Sequence, residues 1–218
     1  MSADNSNELM PYPQIHSIKV SIKIPVRVEL MDIVEECRKK FSQCKIKTYP
    51  NFVVISHLTH SSDLWHDKTV FTIFKYSDKK EQQYRSWGMS YAQHVNCAGI
   101  RHADAIPLCI DVLASIVSLD PQRLPFTLDN YIATSKLPTP LDKSKFLLAN
   151  VEHSFENFEV FPALLLKRPS SPVVTLVYGS GSCVYTGAST VEQLIEAQNF
   201  ITQCFVNYQK ITALPMMK

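Results

Sequence analysis

Apolar residues alternate with polar ones from His16 to Ile24, with Ile18, Val20, Ile22 and Ile24 in step, and Pro25 follows. A period of two marks a strand with one buried face, so a strand is predicted over 16–24. The pattern then turns helical. Residues 28–41 set Leu30, Ile33, Val34 and Cys37 on one face, with acidic residues early and basic ones late, as the helix dipole favours. Two strand-like runs, 51–58 and 69–74, read as a hairpin across the polar stretch 59–68. Residues 75–93 carry Lys, Gln, Ser, Tyr and charge without a clean period, and the simplest reading is a long surface loop or solvated insertion. Helical spacing returns over 104–117 through Ile106, Ile110, Leu113 and Val117.

The order then restarts. A strand over 128–137, a Pro-bounded turn, a helix near 141–150 and strands at 161–167 and 173–178 lead to the turn Gly179-Ser180-Gly181-Ser182. A strand over 183–186 and a helix capped by Ser189 or Thr190, running to about Lys210, complete the pattern. The chain therefore reads as α+β with two similar units. The expected organisation is a flexible segment 1–14, a first repeat 15–120 with a long insertion near 75–93, a second repeat 126–210 and a tail 211–218. Set against Tyr178 to Val184, the stretch Phe74 to Val95 is longer by about 15 residues.

Composition narrows the function. With 218 residues, 45% hydrophobic and 19% charged, the chain has the profile of a packed globular protein. A formal charge of +2 supplies no basic footprint of the kind that holds nucleic acid by electrostatics alone. Glycine numbers 5, and no dinucleotide or P-loop fingerprint occurs. The cysteines, 6 in all, are scattered without a C-x-x-C pair, which fits reduced thiols and no disulfides. Apolar runs such as 163–166 fall far short of the ~20 residues of a membrane span, so no membrane partner is expected. His57, His60 and His66 share one connection but lack a second ligand pair at zinc spacing, and surface histidines are the simpler account. Cys97 and His102 have no identifiable third partner and no G-x-S-x-G occurs, so neither enzyme chemistry, a metal nor a cofactor is expected.

One set of residues carries a specific resemblance. Phe161-Pro162-Ala163-Leu164, then Val173 to Gly181 (V-V-T-L-V-Y-G-S-G), then Tyr185-Thr186-Gly187-Ala188 resemble the second repeat of the TATA-box-binding protein family, whose motifs read F-P-G-L, a strand ending in F, S-G-K and T-G-A-K. Asn130 stands where that family has its central asparagine, and the direct repeat extends the likeness over nearly the whole chain. The resemblance implies a pseudo-twofold saddle, a curved antiparallel sheet with helices on the convex face and a concave face that meets a widened DNA minor groove. An apolar floor suits a groove with few polar groups, an amide meets the A·T acceptors, and aromatic wedges open a base step. On this likeness Asn130, Ile132, Val174, Leu176, Val184 and Thr186 form the floor. Phe161 and Tyr178 form a wedge pair, with Tyr replacing the usual Phe, and Lys167 is a further DNA contact.

The first repeat departs from the pattern. Phe52 and Phe74 resemble the other wedge pair, but Ser17 replaces the central asparagine and Lys19 occupies a floor position that is usually Val. Lys19 could snorkel to a phosphate or could prevent the apolar fit. T-G-A-K has no clean counterpart in 94–99, and the two lysines expected in the second repeat are Ser182 and Ser189. Glu156 and Glu159 resemble the acidic stirrup through which the family holds transcription factor IIB, and the insertion suits a transcription factor IIA-like partner. The resemblance thus implies a nuclear, divergent general transcription initiation factor that binds promoter DNA, with weakened or altered TATA recognition. The alternative is an interaction module of the same fold with little intrinsic DNA binding. A monomeric pseudo-dimer is expected, with homodimerisation through the exposed concave face left open.

Overall fold

The computed structural model describes residues 12–87, 91–155 and 162–213, with Ser154 and Phe155 described by their backbone alone. It divides into an N-terminal unit, Ser17–Asp129, and a C-terminal unit, Asn130–Lys218 together with the residues before Ser17. In chain order the elements are β1 (Gln14–Ile24), α1 (Leu30–Lys40), β2 (Lys45–Tyr49), β3 (Phe52–Ser56), β4 (Val70–Phe74), α2 (Asp78–Ser86), β5 (Gln93–Ile100) and α3 (Ile106–Val117). They continue as β6 (Phe126–Lys136), α4 (Lys143–Ala149), β7 (Ser154–Phe155), β8 (Leu164–Lys167), β9 (Val174–Val177), β10 (Ser182–Ala188) and α5 (Val191–Thr212). The boundary between units falls inside β1 and β6.

Each unit has the same antiparallel strand order. In the N-terminal unit it is β1-β5-β4-β3-β2, and in the C-terminal unit β6-β10-β9-β8-β7. One face of each sheet lies under helices and the other is open. In the N-terminal unit Ile18, Val20, Ile22, Val53, Ile55, Phe71, Ile73 and Val95 are completely buried, and they face Ile33, Val34 and Cys37 of α1 and Leu113 of α3. Each such side chain contributes roughly 1.5–3 kcal/mol by leaving water. α1 has Asp32 in its first turn and Arg38, Lys39 and Lys40 in its last, which complements its dipole. α3 is apolar nearly all round, as a helix lodged in a core must be, and Ser118 closes it in the left-handed conformation at φ +54°. In the C-terminal unit Tyr131, Ala133, Leu164, Leu166, Val177, Cys183 and Tyr185 form the covered face, with α4 and α5 packed together. Thr190 caps α5, its hydroxyl accepting from Gln193 N at 3.3 Å.

A bulge recurs at matching places. The β1–β5 register slips between Ile18 and Val20, and the β6–β10 register slips between Ala133 and Tyr131. Gly99 (φ +85°) and Gly187 (φ +91°) occupy the two bulges in a backbone region that side-chain-bearing residues rarely adopt. These registers make Ser17 the counterpart of Asn130, Lys19 of Ile132, Thr72 of Leu176, Asn96 of Val184 and Ala98 of Thr186. They also settle the alignment of 94–99: Ala98-Gly99 stand where the C-terminal unit has Thr186-Gly187.

Two expectations need correction. Residues 75–93 are not a plain loop, because they contain α2. Ser77 caps that helix, its hydroxyl accepting from Lys80 N at 3.4 Å, while Asp78 and Glu81 sit in the first turn. Arg27 donates to Asp78 at 2.9 Å and to Glu29 at 2.8 Å, which ties α2 back to the start of α1. The buried Gln93 receives Val28 N at 3.1 Å and donates to Phe74 O at 2.8 Å, closing the insertion at its base. The second correction is β2, a strand the periodicity did not indicate.

Candidate nucleic-acid interface

The open face of the C-terminal unit is built by alternation. Asn130, Ile132 and Thr134 of β6, Val174 and Leu176 of β9, and Val184 and Thr186 of β10 are half-buried, while the residues between them on β9 and β10 are buried under the helices. Lys167 is exposed at the end of β8, and Tyr178 follows β9 at the mouth of the tight turn in which Gly181 N donates to Tyr178 O at 2.9 Å. Asn130 is fixed by the bulge: its Oδ1 accepts from Gly187 N at 2.7 Å and its Nδ2 donates to Thr186 Oγ1 at 3.1 Å. An amide nitrogen carries two hydrogens, so one donor remains for an acceptor above the sheet. The result is an aliphatic floor around one oriented amide, which suits a surface displaying few acceptors. Phe161, Glu156 and Glu159 lie outside the described residues.

The N-terminal unit repeats the backbone with different chemistry. Ser17 Oγ accepts from Gly99 N at 3.0 Å, the contact that Asn130 makes with Gly187, but a hydroxyl reaches less far above the sheet than an amide. Lys19 is on the open face with its ammonium 3.7 Å from Asp129 Oδ2, and the two side chains are 42% and 27% exposed. Ser21 donates to the same carboxylate oxygen at 2.5 Å and lies 3.4 Å from Asn96 Oδ1, and Thr127 donates to Asp129 Oδ1 at 3.4 Å. Lys19 therefore faces a carboxylate. The sequence pattern singles out Lys19 but not Asp129, Ser21 or Asn96. The signal was present in the odd positions of β1, where Ser17, Lys19, Ser21 and Lys23 are all polar.

Phe52 and Phe74 come together, as directly opposed residues of β3 and β4 with ring centroids 5.8 Å apart, and Tyr49 stacks on Phe52 at 4.5 Å. The register adds a distinction. Val53 is the counterpart of Leu164, so Phe52 corresponds to Ala163, and the residue three before Val53, matching Phe161 in spacing, is Pro50.

His57 Nδ1 meets Ser56 Oγ at 3.0 Å, His60 Nδ1 accepts from Ser62 N at 3.1 Å and His66 Nδ1 from Lys68 N at 3.2 Å, so each is used in its own loop. No group of three or more His, Cys, Asp or Glu that could hold a metal occurs among the described residues. Cys97 is buried, and its hydrogen bond with Cys109, followed by burial, pushes its thiol well up and away from a nucleophilic thiolate. No helix among the described residues is long and apolar enough to cross a membrane.

Comparison with known proteins meets this geometry. The family model for transcription factor TFIID, or TATA-binding protein, matches residues 125–208, which takes in the whole of the aliphatic face. The TATA-box-binding protein of Dictyostelium discoideum is 32% identical over 123 residues, covering 54% of this chain and 59% of that one. That of Methanosphaera stadtmanae is 37% identical over 71 residues, covering 32% and 37%. The matched part thus spans less than two thirds of either relative. The structure of Methanococcus jannaschii TBP superposes over 90% of this chain and 99% of its own, with a TM-score of 0.62 at 20% identity, and so shows the fold. Residues 125–208 thus match the TATA-box-binding protein family in sequence, and the chain shares the fold of that family's solved structure.

Proposed function

We propose that this protein is a transcription initiation factor that engages the minor groove of promoter DNA through the open face of its C-terminal unit, with TATA recognition weakened on the N-terminal side. The single observation that carries this reading is the aliphatic floor around Asn130, whose counterpart in the other unit is the Lys19–Asp129 cluster. A carboxylate on a would-be groove floor faces base acceptors and phosphates of its own sign, and burying it there is costly. Asn130, Ile132, Val174, Leu176, Val184 and Thr186 are the groove-facing residues in this account. Phe161, Tyr178, Phe52 and Phe74 act as wedges, and Lys167 as a backbone contact. Glu156 and Glu159 serve a transcription factor IIB-like partner and the α2 insertion a transcription factor IIA-like one. A nuclear site of action and a single-chain pseudo-dimer go with it.

The same Lys19–Asp129 cluster favours a second reading, a scaffold that holds initiation factors and touches DNA little. The two readings separate in one experiment: binding and bending of short duplexes, A·T-rich against G·C-rich, followed across a salt series. The proposal expects A·T preference and a bend. With Ser182 and Ser189 in place of two motif lysines, it also expects a log–log salt slope shallower by up to about 2 than in a relative that retains them. Absence of binding to every duplex would leave the scaffold reading.

A further inference from the structure

A cleft of about 920 Å³ lies beside α2 in the N-terminal unit, with Phe74, Tyr84, Trp87, Tyr91, Lys75 and Lys80 among its lining residues. That volume falls in the range of ligand clefts, ~300–1,000 Å³. Its aromatic wall is propped from within. Tyr84 and Tyr91 meet edge to face at 5.4 Å, Tyr84 and Trp87 lie 5.8 Å apart, and the Trp87 side of the wall is open, that residue being 57% exposed. Burial pushes the Tyr91 phenol up, so it stays neutral.

The charges are one-sided. Lys75 and Lys80 form no ion pair among the described residues, and no carboxylate lines the cleft. Glu81, the acid of α2 nearest in sequence, is held by Arg85 at 2.5 Å and also reaches Tyr76 on the cleft wall, where burial and then Glu81 push the phenol up. Phe74 and Asn96 belong both to this cleft and to the open face of the unit, so the two surfaces are continuous.

From this we propose that the cleft binds an unpaired stretch of nucleic acid, with a base stacked on Trp87 and Tyr84 and the backbone phosphates against Lys75 and Lys80. Every base offers a flat face to an aromatic ring, and phosphates supply the charge the two lysines lack. A proline-rich peptide would use the rings but not the lysines. This inference stands apart from the groove floor, which the account assigns to the other unit, although Phe74 of the cleft is also a proposed duplex wedge.

The test uses the full chain and a fluorescein-labelled oligothymidylate, followed by anisotropy. Trp87→Ala is expected to weaken binding about tenfold. Lys75→Glu with Lys80→Glu is expected to weaken it further and to flatten the log–log salt slope by about 1.4, at roughly 0.7 per single-strand phosphate contact. All three positions are exposed, so melting temperatures serve as the folding control. Leu176→Lys, on the C-terminal open face, should leave oligothymidylate binding intact while removing duplex binding. Failure of the unmodified protein to bind, or equal affinity in all variants, overturns the proposal. So does binding lost in Leu176→Lys but kept in Trp87→Ala, or displacement by a polyproline peptide to which the Lys75 and Lys80 substitutions are indifferent.

Discussion

The two units share a strand order, a bulge and a glycine in that bulge, yet their open faces differ at three central positions, while Val70 and Val54 stay as apolar as their counterparts Val174 and Leu165. Where the C-terminal unit presents Ile132, Leu176 and Val184, the N-terminal unit presents Lys19, Thr72 and Asn96. The covered faces show no such divergence, because both must bury apolar side chains under helices to fold at all. The difference teaches that the sheet is a scaffold whose covered side answers to stability and whose open side answers to what it meets. A floor of polar groups bonded to one another has little left to offer an apolar-fitting groove.

The largest effect is expected from moving one face onto the other. Ile132→Lys, Leu176→Thr and Val184→Asn together impose the N-terminal pattern on the C-terminal unit. At roughly 1.5–3 kcal/mol per buried aliphatic side chain, the triple variant should lose more than about a hundredfold in affinity for an A·T duplex by anisotropy titration. Retained affinity would place recognition elsewhere.

Next in size is a loss of stability that should be alike in both units. A Cβ at Gly187 would meet Pro172 O at 2.6 Å, and one at Gly99 would press on Lys68 O, both at positive φ. Gly187→Ala and Gly99→Ala should each cost about 1–3 kcal/mol in denaturant unfolding. A neutral substitution at either would break the equivalence of the bulges.

The reverse graft, Lys19→Ile with Asn96→Val and Asp129→Asn, should tighten duplex binding by about tenfold, since it removes both charges and one amide from the N-terminal floor. No gain would mean that the N-terminal face is kept off DNA by something other than its floor. The smallest effect belongs to Asp129→Asn alone. The pair it breaks is partly exposed, so stability should change by less than ~1 kcal/mol. Freeing Lys19 should steepen the log–log salt slope of duplex binding by about 0.9.

Much of this comparison was written in the sequence, and the rest was hidden for identifiable reasons. β1 and α1 show because one of their faces is buried without interruption. β2 did not show, since Ile46 is its one half-buried residue and the others are exposed at the sheet edge. α2 did not show because it buries no residue, being held by the Ser77 cap, the Arg27–Asp78 pair and Tyr84 against Tyr91. On the open faces, the motifs of the C-terminal unit pointed to its floor residues directly. The Lys19–Asp129 cluster was out of reach because it joins residues from opposite ends of the unit, as the 108-residue separation of Ser21 and Asp129 illustrates. Only the register could also show that Phe52 matches Ala163.

The most direct measurement places one charge at equivalent points of the two faces. Leu176 and Thr72 are counterparts on β9 and β4, both half-buried on the open side. Affinities of Leu176→Lys and Thr72→Lys for the same A·T duplex, at matched salt and with melting temperatures recorded, should differ sharply. The account predicts that Leu176→Lys abolishes most of the binding while Thr72→Lys leaves it unchanged or slightly stronger. Equal losses from the two substitutions would contradict the claim that the C-terminal face alone reads the groove.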